Sequence, residues 1–401
     1  MEKPTQDTER AIAELLTRGV EDLYPSAEYL REKLESGASL SLYLGIDPTG
    51  PLHLGHVVVL GKLAAFQKLG HRVILLIGDF TAMIGDPTDK TATRRALSRE
   101  EVGVNQKRYR AEAARFLRFD GENPAELRRN SEWHDTLTFE RVLELASYLT
   151  VDQLLKRDMF ERRSAEGKPI YLHEFLYPLM QGFDSVALEV DGEIGASDQT
   201  FNMLVGRTLE KQLLGREKFV LTTKLLTDPS GRKMSKSEGN VIWLSDTPDE
   251  QFGKVMRWRD GMIIPGFELC TEVAREEIDR IQAELQGGAN PRDSKLLLAR
   301  AITARLSGER EAAEAEARFL ATFTEGETPE DAPEISATES ETLLDLLARS
   351  GLVASKSEAR RLIESGAVET AAGERLTDPR ASALQGGVLR IGKRRFLKIR
   401  Q

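Results

Sequence analysis

The sequence predicts an α/β protein built on an open, doubly wound parallel sheet, followed by a helical middle segment and a small α+β module at the C-terminal end. Three observations carry that expectation. Residues 40–90 read strand, loop, helix, strand with short connections, and such a crossover is parallel and right-handed. Residues 245–325 hold helical spacing. Residues 341–401 read as two short helices followed by a hairpin. A chain of 401 residues exceeds what one hydrophobic core accommodates. The expected division is 1–243 for the α/β domain with an inserted region, 244–326 for a helical domain, 327–340 for a linker and 341–401 for the last domain.

Each element has a local reason. SLYLGI, residues 41–46, is a short apolar run rich in strand formers, and DPTGP after it is a turn. VVVLGKLAAFQKLG has helical spacing and a glycine stop, and HRVILLIGDF is continuous and β-branched, as buried parallel strands are. Asp47-Pro48-Thr49 and Asp86-Pro87-Thr88 therefore fall at the carboxyl ends of strands, where open α/β sheets bind ligands. Residues 95–165 are charged with helical spacing, as in ERVLELASYLTVDQLLKR, and are expected to be helices that cover or extend the sheet. A second α/β stretch runs from PIYLHEFLYPLMQGFDSVALEV through the loop GEIGASDQ to a helix from about Phe201. The segment TEGETPEDAPEISATES has prolines and no periodicity, and reads as a linker.

Composition narrows the function. Apolar content of 40% and charged content of 30% are those of a water-soluble globular chain. No apolar run reaches the roughly 18 residues of a membrane span, and the first residues lack the layout of a signal peptide, so a cytoplasmic protein is expected. The single Cys270 excludes intrachain disulfides and multi-cysteine zinc sites, and reads as a small buried or half-buried thiol. The net charge of −9 conceals an asymmetry: residues 341–401 carry twelve Lys or Arg against seven Asp or Glu, a net of +5, leaving −14 for the rest. Charge segregated onto one end is a footprint for a polyanion partner.

Two motifs carry the chemistry. His53-Leu54-Gly55-His56 opens a helix with two imidazoles on one face, and the glycine leaves room for a ligand to approach the backbone. A helix N-terminus favours anions, so histidines there suit phosphate oxygens. Downstream, Lys233-Met234-Ser235-Lys236-Ser237 follows the turn Asp228-Pro229-Ser230-Gly231-Arg232. Two lysines in a glycine-flanked loop suit a polyphosphate whose charge develops during reaction. Either motif alone is weak, since four-residue patterns arise by chance and a charge run is most often solvated.

Together, in this order on an α/β sheet, HLGH and KMSKS resemble the two signatures of class I aminoacyl-tRNA synthetases, with a Rossmann-like catalytic domain. The resemblance implies that His53 and His56 contact phosphate, that Lys233 and Lys236 meet the departing pyrophosphate, and that Thr49 assists at the γ-phosphate. It places Asp47, Gly55, Gly195, Asp198, Met234 and Ser235 along ATP, which arrives with magnesium; no permanently bound cofactor and no protein-held metal are expected. LYLGIDPTGPLHLGH, IGDPTDKTATR and YPLMQGFDSVALEV with GASDQ resemble the tyrosyl branch. There Tyr43 and Asp184 would bond the substrate phenol, Asp86, Tyr177 and Gln181 its ammonium, and Gln199 would lie near its carboxylate.

The spacing of Tyr177, Gln181 and Asp184 at i, i+4 and i+7 puts all three on one helical face. The alternatives are that Tyr177 and Tyr43 are core aromatics, Asp184 a helix-terminal charge, and the GEIGASDQ loop a simple tight turn. Two departures stand out. DPTGPLHLGH is one residue shorter than the frequent DPTADSLHLGH form, and GASDQTFN replaces GGSDQWGN.

The C-terminal segment LLARSGLVASKSEARRLIESGAVE with its hairpin resembles a small RNA-binding fold shared with a ribosomal protein and pseudouridine synthases. Lys356, Arg360 and Arg361, with Ser355 and Ser357, gather at a helix start, and Lys393, Arg394, Arg395 and Lys398 add a basic strand. The resemblance implies tRNA(Tyr), tyrosine and ATP as partners, and a homodimer paired through the inserted region around 130–180. Rival readings are the tryptophanyl sister enzymes, a nucleotidyltransferase acting on a small metabolite, and an RNA-binding protein built on an inactive synthetase. The pair Tyr43 and Asp184 argues against the first.

Overall fold

The computed structural model describes residues 5–87, 97–227, 241–324, 332–337, 341–353, 355–370, 374–382, 387–392 and 395–400. They form two compact units, 1–308 and 309–401. Among the described residues no helix is long and apolar enough to cross a membrane.

The first unit is organised by a six-stranded sheet of β1 (Val20–Tyr24), β2 (Ser41–Ile46), β3 (Arg72–Ile77), β4 (Glu126–Arg129), β5 (Gly192–Ala196) and β6 (Phe219–Thr223). Its order is β1-β6-β5-β2-β3-β4, parallel except for β1, which runs antiparallel to β6. The chain builds outward from β2 through β3 to β4, then returns to the other side of β2 with β5. That reversal makes the carboxyl ends of β2 and β5 the switch point of a doubly wound sheet, where a crevice forms. The central strands are buried on both faces, with β3 reading buried from Val73 to Ile77 and β6 throughout. This is why β3 shows as an unbroken apolar run.

Four strands of this sheet were not anticipated. The first five residues of the expected loop GEIGASDQ are β5, whose two glycines and Glu193 hide the strand pattern, and β6 was not read. β4, with sequence ELRR, lies at an edge inside the charged stretch expected to be helical. An edge strand has few apolar positions to reveal it. β1 at the other edge is likewise half polar. Helices Leu54–Lys68, Leu172–Leu188 and Thr200–Leu214 fall where the periodicity puts them. The helices from Pro248 to Ser307 belong to the first unit.

The second unit holds helix Glu309–Thr324 and a four-stranded sheet of β7 (Glu334–Ser336), β8 (Val368–Thr370), β9 (Val388–Ile391) and β10 (Arg395–Arg400) in the order β7-β10-β9-β8. Helices Leu343–Arg349 and Lys356–Glu364 close a small core with Leu346, Leu347, Ile363, Val368, Leu389 and Ile391. The expected hairpin is β9 with β10. β7 lies within the segment read as a linker, pairing in parallel with β10 over three residues too few to show a period.

Candidate active site

The crevice opens above β2, where Gly45 is exposed amid buried neighbours and a Cβ there would meet only the Tyr43 ring at 3.7 Å. The loop leaving β2 is fixed from below. Tyr109 Oη donates to Gly50 O at 2.6 Å, Asn105 Nδ2 to Pro48 O at 2.8 Å, and the Leu52 amide donates to Glu112 Oε2 at 3.0 Å. Thr49 turns back on this loop, its amide 2.7 Å from Asp47 O.

His53 is the N-cap of the helix Leu54–Lys68. The Gly55 amide donates to His53 Nδ1 at 3.1 Å, and the His53 amide donates to His56 Nδ1 at the same distance. Both Nδ1 atoms are thus acceptors, which places the proton of each neutral ring on Nε2. The rings lie 4.1 Å apart, and Trp243 meets His53 edge-on. The space beside Gly55, expected to admit a ligand, is taken by the His53 ring itself, which a Cβ would approach to 2.9 Å. Gly55 therefore serves the cap.

Lys233, Met234, Ser235 and Lys236 lie outside the described residues. The segment that follows them docks on the first motif: Leu54 donates to Ile242 O at 2.9 Å and Leu244 to Leu52 O at 3.0 Å.

Asp47 bridges the crevice. Its Oδ1 accepts from Thr81 Oγ1 at 2.7 Å and its Oδ2 from Tyr177 Oη at 2.9 Å. Gly78 is required beside it, since a Cβ there would lie 2.1 Å from Asp47 Oδ1. Tyr177 is buried, and burial with Asp47 and Asp86 nearby keeps its hydroxyl protonated well above the ordinary range. Gln199, in the turn after β5, donates to Asp86 Oδ2 at 2.8 Å and accepts from Asn202 at 3.0 Å. Asp198 shares that turn. Gly195 lies in β5 itself, and the place of its missing Cβ is filled by Met203 Sδ at 2.7 Å, so the close approach there is made by a side chain.

The face of helix Leu172–Leu188 spans the switch point as its spacing implies. Tyr177 reaches Asp47 after β2, and Gln181 Nε2 donates to Glu193 Oε1 on β5 at 3.3 Å. Asp184 meets Asn130, Trp133 and His134 after β4. Asp184 is buried and lies a full turn before the helix ends at Leu188, so it is no helix-terminal charge. Tyr43 is buried within a cluster that includes Ile74 and Leu188, while its hydroxyl reaches Ser185 Oγ at 3.0 Å. Ser185 also accepts from Lys218 Nζ at 2.7 Å, and Lys218 pairs with Glu193. Tyr43 thus packs in the interior and takes part in a polar cluster under the crevice.

Several of these residues left no signal in the sequence reading. Asn130, Trp133 and His134 follow the unanticipated β4. Arg157 lies over the Phe201 ring at 4.7 Å, with Asp86 and Tyr177 close enough to favour its charge, although burial draws it down to about 10.

In the second unit Ser355 caps helix Lys356–Glu364, and Arg360 and Arg361 are exposed. Lys356 pairs with Asp345 on the surface. Arg395 donates to Leu352 O at 2.5 Å and pairs with Glu358, so it ties β10 to the helix. Lys393 and Arg394 lie outside the described residues. Cys270 is buried, and burial pushes its thiol up to about 12.

A doubly wound sheet with paired histidines capping the helix after its first central strand, and with an acidic, tyrosine-bearing crevice at the switch point, defines a nucleotide-handling enzyme of the class I synthetase kind. Comparison with known proteins narrows this. Residues 35–324 match the family of class I tRNA synthetases for tryptophan and tyrosine, and residues 324–399 match the C-terminal domain of a tyrosine–tRNA ligase type. The chain is 46% identical to a tyrosine–tRNA ligase of Symbiobacterium thermophilum over 96% of both chains. It is 44% identical to tyrosine–tRNA ligase 2 of Vibrio parahaemolyticus over 98% of both. A solved C-terminally truncated mitochondrial tyrosyl-tRNA synthetase of Coccidioides posadasii shares the fold with a TM-score of 0.63, covering 78% of this chain and 92% of its own at 24% identity. The chain belongs to the tyrosine–tRNA ligase family of class I synthetases.

Proposed function

We propose that this chain activates tyrosine with ATP and transfers it to the 3′ end of tRNA(Tyr). In the first step a carboxylate oxygen of tyrosine attacks the α-phosphorus, the bond to the β-phosphate oxygen breaks, and pyrophosphate leaves. In the second, a terminal ribose hydroxyl of the tRNA attacks the acyl carbon and AMP leaves. Neither step needs a nucleophilic side chain; positioning and charge stabilisation lower the barrier.

The observation that carries this reading is the convergence of Asp47, Tyr177, Asp86 and Gln199 at the switch point, with the paired His53 and His56 opening the helix that follows β2. Asp86, Tyr177 and Gln181 take the substrate ammonium, Tyr43 and Asp184 the phenol, and Gln199 lies near the carboxylate. His53 and His56, with Nε2–H groups, serve the phosphates together with Thr49, Lys233 and Lys236. Asp47, Gly55, Gly195, Asp198, Met234 and Ser235 line the nucleotide, which comes as its magnesium complex. Lys356, Arg360, Arg361, Arg394 and Arg395 belong to the RNA-facing side of 341–401, with 244–326 as the helical domain between and 327–340 as the linker. On this reading the enzyme works in the cytoplasm, as a homodimer.

Exchange of labelled pyrophosphate into ATP, run with each amino acid separately and followed by charging of tRNA, tests this. Exchange with tyrosine alone and charging of tRNA(Tyr) are expected. Exchange with tryptophan instead would leave the nucleotide site standing and remove the pocket assignment.

A further inference from the structure

Asp184 is closed in by three donors from one short stretch of chain. Trp133 Nε1 donates to Oδ1 at 2.9 Å, Asn130 Nδ2 donates to Oδ2 at 3.3 Å, and His134 Nε2 lies 2.7 Å from Oδ1. The His134 and Asp184 side chains are 0% and 4% exposed. The second ring nitrogen of His134, Nδ1, is buried with no hydrogen-bond partner among the described residues, and Phe80 and Phe183 stand at 5.0 Å and 6.0 Å from the ring. A proton on Nδ1 would be a buried donor with nothing to receive it. The single proton of a neutral ring therefore belongs on Nε2, facing the carboxylate.

Two further titratable groups face this carboxylate, Tyr43 from β2 and Tyr177 from its own helix, and burial keeps both hydroxyls protonated. We infer that His134 is a positioning residue for substrate choice: with Asn130 and Trp133 it holds Asp184 as an ionised carboxylate that can only accept, so the pocket demands a hydroxyl on the substrate ring. The inference rests on Asp184 being the phenol's partner, as proposed above. Oδ1 already receives two donors and Oδ2 one, which leaves capacity on Oδ2 for the substrate. Burial draws the carboxyl above its ordinary value on balance, and the three donors oppose it and limit the rise. Without His134 the carboxyl takes up a proton more readily. A protonated carboxyl can satisfy itself on neighbouring acceptors, and a ring lacking the hydroxyl is then penalised less.

The test uses the full chain with His134→Phe, which keeps a flat ring and removes the donor, and His134→Gln, whose amide can donate from a similar reach. The readout is the ratio of kcat/KM for tyrosine to that for phenylalanine in pyrophosphate exchange. That ratio does not depend on how much of the variant is folded. In His134→Phe it is expected to fall about ten- to hundredfold, as loss of a hydrogen bond to a charged group implies. The change should enter through KM for tyrosine while KM for ATP holds, and His134→Gln should restore most of it. A ratio within about twofold of the parent in His134→Phe, or a loss that His134→Gln does not repair, would overturn the inference. The parent enzyme separates the two levels: exchange with tryptophan and not tyrosine would sink the functional reading as well, whereas tyrosine exchange with an unaltered His134→Phe ratio would sink only the role of His134.

Discussion

Glu210 is fully buried on helix Thr200–Leu214, and burial raises its carboxyl from 4.5 to about 7 even though Lys218 and Arg216 pull the other way. In the folded state it keeps its proton up to about 7, while the unfolded chain releases it near 4.5. Between those values the folded state binds more protons, so this group makes stability fall as pH rises and adds no slope beyond. Glu210→Gln should therefore melt at nearly the parent temperature at pH 4.5 and progressively above it up to pH 7. A temperature difference independent of pH would refute this. Asp184 shifts in the same direction, but it is common to both proteins and cancels in the difference. Lys62, pushed down to about 7, acts with the opposite sign at higher pH and cancels likewise, so the comparison stops at pH 7 because Glu210 adds no slope beyond it. At this scale the sequence showed the outward-looking half of the site. Tyr177, Gln181 and Asp184 announce themselves by helical spacing, but their partners at Asn130, His134, Glu193 and Lys218 come from distant segments with no period linking them.

Helices Leu172–Leu188 and Thr200–Leu214 cross where each has a glycine. A Cβ on Gly182 would lie 2.8 Å from Val205 Cγ1 and 3.1 Å from the Gly206 amide. One on Gly206 would lie 2.6 Å from both Lys218 Nζ and Ser185 Oγ. Lys218 is pinned by its buried pairing with Glu193 and cannot swing aside cheaply. Gly206→Ala is thus expected to cost about 1–3 kcal/mol in denaturant unfolding, the usual range for overpacking. It should also raise KM for tyrosine by disturbing the cluster beneath Tyr43. Unchanged stability would show that the crossing has slack. Legibility at this scale followed apolar pattern. The central strands β2 and β3 showed as apolar runs because both faces are covered. β5, with two glycines and Glu193 in five residues, was read as a loop, and β6, ending in two threonines, was not read. β1, β4, β7 and β8 were missed because edge or three-residue strands owe little to apolar pattern. Missing β4 hid the residues that hold Asp184, since they follow it directly.

Between β4 and β5 the chain carries large apolar side chains that the fold leaves in solvent: Phe139 at 76%, Leu143 at 56%, Val151 at 61% and Leu172 at 78% exposed, with Leu155 also exposed. Phe139 and Leu143 are one turn apart on helix Phe139–Ala146, as Val151 and Leu155 are on helix Val151–Leu155. Exposed apolar groups gathered in one region mark an interface, and a second copy of the chain is the occupant proposed here. The same region supplies Asn130, Trp133 and His134 to Asp184, and Glu174, whose buried pairing with Arg163 fixes the start of the Tyr177 helix. Assembly and tyrosine binding therefore draw on one piece of structure, whereas His53 and His56 sit on an element outside it. Replacing Phe139 and Leu143 together by Glu is expected to convert a particle of twice the chain mass into one of single mass in sedimentation velocity. In pyrophosphate exchange the monomeric variant should lose affinity for tyrosine while KM for ATP stays near that of the parent. An equal rise in both constants would mean that the insertion supports the whole sheet, and a variant that stays dimeric would place the interface elsewhere.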